Sequence, residues 1–208
     1  MEPSFYPNLQ ETLDSLSIDQ VPGARIARLQ LLIEAINSQI TQNRPVRLNF
    51  ICTHNSRRSM FGQCWAQAIA AHMGIEVDTY SGGSESTAFF PAAAAALQAG
   101  GFQVTKIQEG TNPVYAVKYA PDSQPLVCFS KTFDHFFNPT SGMIAVMVCL
   151  DADQNCPYIP AAAHRISLPY EDPKVSDDRP DQVAVYAERS LQIATELTYV
   201  FSHIKSGN

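Results

Sequence analysis

The sequence predicts an α/β fold: an open, mainly parallel four-stranded sheet flanked by helices. The strongest support comes from residues 46–74, where an apolar stretch, 48–51, ends at Cys52 and a polar loop leads into an Ala-rich helical segment. Residues 143–150 form a continuous apolar run, which is typical of a strand buried on both faces of a sheet. A long amphipathic segment follows Pro180, as expected of a helix that covers a sheet.

Two further strands and one further helix complete the predicted sheet domain, which we assign to residues 46–208. The strands are expected at 75–81 and 166–168, and the helix at 91–99, where a proline begins an alanine run and two glycines follow it. The turn 82–87 is expected beside the polar loop, where it could contribute hydrogen bonds. In the final helix the predicted buried face contains Val183, Ala187, Leu191, Ala194, Leu197 and Phe201.

Two additions to this domain are predicted. Residues 1–45 form an N-terminal helical extension, and its apolar side chains at helical spacing are Ile26, Leu29, Ile33, Ile36 and Ile40. A small β insertion at about 102–139 contains short strands at 104–107, 114–119 and 126–129, which glycine, proline and asparagine turns separate.

The composition excludes several classes of protein. Of the 208 residues, 45% are hydrophobic and 16% are charged, which is typical of a globular chain with a substantial core. The net charge of −6 disfavours a nucleic-acid or anionic-membrane surface, and no apolar run approaches the ~20 residues of a membrane span. The N terminus lacks the features of a signal peptide, and five cysteines without framework spacing favour a reducing, cytoplasmic location.

The segment around Cys52 predicts a nucleophile inside an anion-binding loop. A cysteine at the carboxyl end of a buried strand lies where open α/β sheets place their ligands. The amides of the loop and the start of the following helix attract an oxyanion and also favour the thiolate form of a cysteine. The predicted oxyanion-binding residues are Thr53, His54, Asn55, Ser56, Arg57, Arg58 and Ser59.

Each catalytic role follows from the chemistry of its side chain. The Cys52 thiolate can attack the central atom of a tetrahedral oxyanion, and the planar fork of Arg58 can bind two of its oxygens. Ser59 can cap the helix or donate a hydrogen bond to the sulfur. The departing oxygen needs a proton, for which Asp172, next to a proline, is the candidate acid. The sequence alone does not separate it from Glu171, Asp177 or Asp178.

Two further cysteines suggest a redox step. Cys149 ends the apolar run 143–150, and Cys156 follows seven residues later. Cys149 could attack a Cys52 adduct, and Cys156 could then attack Cys149, so that the disulfide moves to an exposed loop. The alternatives are a core cysteine with an incidental neighbour, or a metal clip. No CxxC motif or histidine pair at ligand spacing supports a metal site, and none is predicted.

The loop CTHNSRRS resembles the phosphate-binding loop of the low-molecular-weight protein tyrosine phosphatases and of their relatives, the thioredoxin-coupled arsenate reductases. The segment VMVCLDADQNCP is similar to the redox segment of those reductases, in which the resolving cysteines stand seven apart and an Asp-Pro pair follows sixteen residues later, as Asp172 follows Cys156 here. The resemblance implies a low-molecular-weight phosphatase-like sheet, a Cys52, Cys149 and Cys156 thiol relay, and thioredoxin as the reductant.

The sequence also departs from that family. Arg57 stands where cysteine is common, and His54 stands where glycine is usual. The family links the position of Asn55 to a potassium site, but Gln63 replaces an expected glutamate, which weakens the case for a monovalent cation. No cofactor is otherwise expected. Cys64 is expected on a core face and receives no role.

Three functions are therefore compatible with the sequence. The first is an arsenate reductase that uses the thiol relay. The second is a phosphatase acting on phosphotyrosine or another phosphate monoester, which needs only Cys52, Arg58 and Asp172 because water resolves the phosphocysteine. The third is a non-enzymatic module that binds phosphate or phosphoproteins. The two additional cysteines favour the first function, since hydrolysis has no use for them.

Overall fold

The computed structural model describes residues 4–155 and 158–205, and it confirms the predicted fold class. The main sheet contains four strands: β1 (Arg47–Cys52), β2 (Asp78–Gly83), β6 (Met143–Met147) and β7 (Ala162–Ser167). Their order is β2-β1-β6-β7, and every neighbouring pair is parallel. Because all four strands are parallel, their carboxyl ends meet at one edge, and Cys52 lies at that edge.

Helices separate the strands, as parallel pairing requires. The helix α3 (Arg58–His72) follows β1 directly and packs on β1, β2 and the final helix α6 (Gln182–Ser202). The helix α4 (Pro91–Ala99) also packs on α6. No helix among the described residues is both long enough and apolar enough to cross a membrane.

The apolar run 143–150 is shorter as a strand than predicted. β6 ends at Met147, and the extended pairing continues only as far as the nitrogen of Val148, which donates to the carbonyl of Ile51 at 2.8 Å. A short helix, α5 (Leu150–Asn155), begins directly afterwards, and its first residue is 58% exposed. The apolar run continues past the last residue of the strand, so a prediction from hydrophobicity alone made β6 too long.

The β insertion forms where it was predicted. Its strands are antiparallel, in the order β3 (Gln103–Gln108), β4 (Val114–Lys118) and β5 (Leu126–Cys128). The segment after β5 returns to the main sheet, where Thr132 forms a parallel bridge with Gly83 at the end of β2. The insertion thus reaches the carboxyl edge of the sheet.

The predicted buried face of α6 is only partly correct. Val183 is 79% exposed and Leu191 is 41% exposed, whereas Ala194, Leu197 and Phe201 are buried as expected. The buried face of the first turns instead contains polar groups, including Ser190, whose hydroxyl accepts a hydrogen bond from the Trp65 indole at 2.9 Å. Hydrophobic periodicity could not identify a face that is buried through hydrogen bonds.

The N-terminal extension contains α1 (Pro7–Ser15) and α2 (Gly23–Thr41). α2 packs against β6, β7 and α6, and its residues share one hydrophobic core with the sheet. Leu29, Ile33 and Ile36 are buried as predicted, but Ile26 is 38% exposed, because the contact face turns away at the start of the helix. The boundary between extension and sheet domain stays a prediction.

One buried ion pair joins the extension to the sheet domain. The Arg25 guanidinium donates to both oxygens of Glu196, at 2.7 Å for the shortest contact, and Glu196 is 1% exposed. Arg25 also donates to the carbonyl of Pro169 at 2.9 Å and lies 4.7 Å from the centre of the Tyr170 ring. Burial acts to lower the pKa of Arg25, but the hydrogen bond and charge of Glu196 raise it overall. Arg25 therefore fixes the backbone that follows β7.

We expect Arg25→Met to lower the free energy of unfolding by about 3 kcal/mol, because it leaves the buried Glu196 carboxylate without its partner. The double variant Arg25→Met/Glu196→Met should recover most of this loss, since it removes both charges. Urea denaturation at neutral pH measures both. A single variant as stable as the wild type would contradict the assignment.

Candidate active site

The loop between β1 and α3 is held in place through its carbonyl groups. The donors come from the segment after β2 and from Ser130 of the insertion: Ser84 N to Cys52 O (3.2 Å), Glu85 N to Thr53 O (2.8 Å), Ser130 Oγ to His54 O (2.7 Å) and Phe90 N to Ser56 O (3.1 Å). The predicted position of the turn 82–87 beside this loop agrees with these contacts.

The N–H groups of the loop, in contrast, have no acceptor among the described residues. Within residues 4–155 and 158–205, no backbone N–H of residues 53–57 donates to a backbone or side-chain oxygen. The helix α3 begins at Arg58, so its unpaired N-terminal amides lie next in the chain. A loop whose carbonyls are bound and whose amides are unpaired can bind an oxyanion.

Two residues allow the backbone to adopt this shape. Asn55 has φ of 46°, a left-handed conformation that asparagine tolerates better than most residues. Gly83 lies against the loop so closely that a Cβ there would be 2.6 Å from the carbonyl oxygen of Thr53 and 2.8 Å from the nitrogen of Asn55. A larger residue at position 83 would therefore push the loop out of shape.

A directed series of hydrogen bonds ends on the Cys52 sulfur. The nitrogen of Lys131 donates to Asn55 Oδ1 at 3.0 Å, which fixes the orientation of the amide, and Asn55 Nδ2 then donates to Ser59 Oγ at 2.9 Å. Because Ser59 Oγ accepts there, its own hydrogen is free to donate to Cys52 Sγ, 3.1 Å away. Cys52 is 3% exposed and Ser59 is fully buried. A hydrogen bond donated to sulfur stabilises the thiolate.

The Arg58 guanidinium joins the loop to the Asp-Pro segment. It donates through Nη1 to the carbonyl of Tyr170 at 2.9 Å, and through Nη2 to the Asp172 carboxylate. Its Nε is buried and has no hydrogen-bond partner within the described part of the chain. The second oxygen of Asp172 accepts from the nitrogen of Lys174 at 3.1 Å. The structure thus brings Asp172 to the candidate site.

The other acidic candidates lie in different environments. Glu171 has a 90% exposed side chain, 3.3 Å from Arg189, and Asp178 is also exposed. Asp177 binds the Tyr186 hydroxyl and the Arg57 guanidinium; although burial opposes it, these contacts lower the pKa of Asp177. A carboxylate held ionised in this way is a poor proton donor. Among these four acidic side chains, Asp172 is the one that contacts Arg58.

The side chains of three predicted oxyanion-binding residues are engaged elsewhere. Arg57 binds Tyr186 and Asp177 and lies 3.9 Å over the Phe90 ring. Ser56 Oγ donates to the carbonyl of Ala88 at 2.6 Å. His54 is partly exposed, 3.6 Å from Glu85. These residues can contribute their backbone amides to an anion site.

Cys149 lies beside the loop, at the start of α5. Its sulfur is 3.4 Å from Thr53 Oγ1 and accepts a hydrogen bond from the nitrogen of Ala152 at 3.3 Å. Thr53 directly follows Cys52, and the Thr53 hydroxyl also donates to Asp151 at 2.8 Å. Cys149 is 1% exposed. The predicted second relay cysteine, Cys156, lies outside the described residues.

Two further cysteines, Cys64 and Cys128, contact each other in the core rather than the loop. Cys64 and Cys128 are fully buried, with their sulfurs 3.8 Å apart between α3 and β5. Burial and the neighbouring Cys128 raise the pKa of the Cys64 thiol well above its usual value, which makes it a poor nucleophile. Cys128 is a core residue.

Sequence reasoning missed the residues of the insertion that support the loop. Ser130 and Lys131 bind His54 and Asn55 across 76 positions of sequence. No local pattern marks such contacts, because they depend on how the insertion folds back onto the sheet. The bridge from Thr132 to Gly83 brings them to the loop.

Sequence comparison relates the chain to arsenate reductases, although no protein-family model matches it. Arsenate reductase 2 of Staphylococcus epidermidis is 28% identical over 124 residues, which are 60% of this chain and 76% of the relative. Arsenate reductase 2 of Staphylococcus haemolyticus has the same identity and coverage. This similarity confirms the predicted resemblance to arsenate reductases.

Solved structures give weaker similarities. An arsenate reductase in a phosphate-binding state has a TM-score of 0.47 and 16% identity, over 77% of this chain and 99% of that one. A low-molecular-weight phosphotyrosine phosphatase from Vibrio cholerae also has a TM-score of 0.47, with 13% identity, over 76% of this chain and 94% of that one.

We expect Gly83→Ala to reduce turnover about 100-fold, because its Cβ would displace the loop amides that face the anion site. The matched control is Gly23→Ala at the start of α2, where a Cβ meets nothing within 4 Å. Phosphate binding by calorimetry and hydrolysis of p-nitrophenyl phosphate compare the two. Unchanged phosphate binding in Gly83→Ala would show that these amides do not form the site.

Proposed function

We propose that this chain is a cysteine-dependent enzyme that reduces arsenate to arsenite through a thiol relay that begins at Cys52. The observation that carries the proposal is the position of Cys149, whose sulfur lies 3.4 Å from the hydroxyl of the residue that follows Cys52. The relatives named above are arsenate reductases, at 28% identity. A phosphate-ester hydrolase would need the loop but not this second thiol.

Substrate binding uses the unpaired amides of the loop and the Arg58 fork. A tetrahedral dianion between them would replace Asp172 as the partner of Arg58, because a charge-assisted contact to a doubly charged anion is the stronger one. The buried Nε of Arg58, which has no hydrogen-bond partner among the described residues, supports this exchange, since it leaves the guanidinium a donor for the anion. Asp172 is then free to take up a proton and to act as the acid.

The first chemical step forms a bond between sulfur and arsenic. The Cys52 thiolate attacks the arsenic atom, and one arsenate oxygen leaves as water once Asp172 has supplied a proton. The hydrogen bond from Ser59 stabilises the thiolate before attack. The loop amides and Arg58 stabilise the charge on the remaining oxygens.

The second step transfers two electrons to arsenic. The Cys149 thiolate attacks the Cys52 sulfur, a Cys52–Cys149 disulfide forms, and the sulfur–arsenic bond breaks with its electron pair on arsenic, so that arsenite leaves. The amide of Ala152 donates to the Cys149 sulfur at 3.3 Å and orients it. Cys156 then attacks Cys149, which restores the Cys52 thiol and leaves a Cys149–Cys156 disulfide for thioredoxin to reduce.

The alternative is a low-molecular-weight phosphatase that hydrolyses phosphate monoesters. It requires only Cys52, Arg58 and Asp172, and Arg58 contacts Asp172 directly. A third function, binding of phosphate or phosphoproteins without turnover, explains neither the acid nor the second thiol. The proposed chemistry needs no cofactor, and thioredoxin as partner and a cytoplasmic location are part of the proposal.

The relay predicts that Cys149→Ser and Cys156→Ser each stop multiple-turnover arsenate reduction, because neither variant can complete the disulfide transfer. Both should still hydrolyse p-nitrophenyl phosphate, whereas Cys52→Ser should lose both activities. Thioredoxin-coupled NADPH oxidation and p-nitrophenol release, measured on one preparation, separate the two reactions. Cys64→Ala is the control, since that buried thiol contacts Cys128 and not the loop.

Repeated arsenate reduction by Cys149→Ser would refute the relay. A wild-type protein that hydrolyses phosphate esters and never reduces arsenate would favour the phosphatase. Turnover by Cys52→Ser would refute the nucleophile for both functions.

Asp172→Asn should lower kcat for p-nitrophenyl phosphate about 100-fold, because the amide cannot protonate the leaving oxygen. Its phosphate affinity should stay equal or rise, since Arg58 loses a competing carboxylate. Steady-state kinetics and phosphate inhibition measure both values. The control is Asp178→Asn, at an exposed position of the same segment; equal losses in the two variants would remove Asp172 from the acid role.

A further inference from the structure

The insertion places a buried lysine behind the oxyanion loop. Lys131 is 2% exposed, and within the described part of the chain no carboxylate lies within ion-pair distance of its ammonium group. The nearest oxygen atoms are Ser81 Oγ on β2, at 3.4 Å, and the carbonyl of Phe129, at 3.5 Å. A buried charge without a counter-ion is costly for stability, so its presence calls for a functional explanation.

The groups that face this ammonium come from four parts of the structure. α3 contributes Cys64, β5 contributes Cys128, and β2 contributes Ser81. The Phe129 and Phe137 rings lie 4.8 Å and 5.8 Å from the nitrogen, and His135 packs on the edge of Phe129. None of these groups is a carboxylate, so the ammonium of Lys131 has no carboxylate counter-ion among the described residues.

The same residue is connected to the nucleophile. The backbone nitrogen of Lys131 binds Asn55, Asn55 binds Ser59, and Ser59 binds the Cys52 sulfur. Its side chain therefore extends from a backbone position that is already in contact with the loop. The ammonium itself lies against Ser81 Oγ on β2, two residues before Gly83, which packs on the loop. Its positive charge therefore favours an oxyanion bound by that loop.

We propose that Lys131 is a positioning residue for the oxyanion site: its backbone orients Asn55, and its buried ammonium supplies an internal positive charge that strengthens anion binding. The inference rests on the proposed function of the loop. Burial lowers the pKa of Lys131 to about 8, so the charge is present at neutral pH and is lost as the pH rises through that value. The enzyme should therefore bind oxyanions less tightly above pH 8.

Nuclear magnetic resonance of the wild-type protein with ¹³C-labelled lysine tests the electrostatic part. A bound phosphate dianion favours the charged lysine, so saturating phosphate should raise the pKa of Lys131 from about 8 to about 9, a tenfold coupling. Lys106 of the insertion, 40% exposed and paired with Glu109, is the internal control and should not respond. Phosphate that binds without moving the Lys131 titration would overturn the inference.

Lys131→Met provides the second test, because methionine fills a similar volume without charge. We expect phosphate affinity at pH 7 to fall about tenfold, by the reciprocity of the coupling. We also expect the phosphate affinity of this variant to lack the decrease above pH 8 that is predicted for the wild type, with no loss of thermal stability. If Lys131 were merely structural, the variant would keep the pH profile of the wild type. Lys106→Met is the matched control. Wild-type affinity and pH profile in Lys131→Met would overturn the proposal.

The two proposals fail in different ways. If phosphate and arsenate do not bind the wild-type protein at all, the proposed function of the loop is wrong. If they bind and Lys131 neither titrates with them nor affects their affinity, only the role of Lys131 is wrong. Should Lys131→Met not fold, the titration of the wild-type protein decides the question by itself.

Discussion

The structure of the site depends on the hydrogen bonds that bind the carbonyl groups of the loop after β1. Ser84, Glu85, Phe90 and Ser130 satisfy these carbonyls, while the amides of residues 53–57 have no acceptor in the described part of the chain. An anion can be bound there without any movement of side chains from the loop itself. Such preorganised dipoles are usually the largest contribution of a protein to stabilising developing charge.

Both additions to the sheet domain support this loop. The insertion supplies Ser130 and Lys131, which bind the loop directly. The N-terminal extension supports the loop indirectly. Arg25 donates to the carbonyl of Pro169 and packs on the Tyr170 ring. The carbonyl of Tyr170 in turn accepts a hydrogen bond from Arg58. The insertion therefore contacts the loop itself, whereas the extension contacts the segment that binds Arg58.

The same parallel sheet explains why Cys149 lies beside the loop that follows Cys52. β1 and β6 are neighbours, and the ladder between them ends where Val148 binds Ile51. Cys52 is the last residue of β1, and Cys149 lies two residues after the end of β6. Neighbouring parallel strands thus bring two cysteines, separated by almost half of the chain, to one edge. This placement follows from topology and needs no special loop.

The sequence by itself determined the sheet, the loop after β1 and the cysteines at its edge, because these depend on local hydrophobic runs and on turn residues. It also located the Asp-Pro segment but could not choose among its carboxylates. Only the tertiary structure decided that Asp172 contacts Arg58, that Arg57 turns to Asp177, and that Lys131 lies buried behind the loop. These contacts join residues that are far apart in the chain, so they depend on how the elements pack, which a local pattern does not encode.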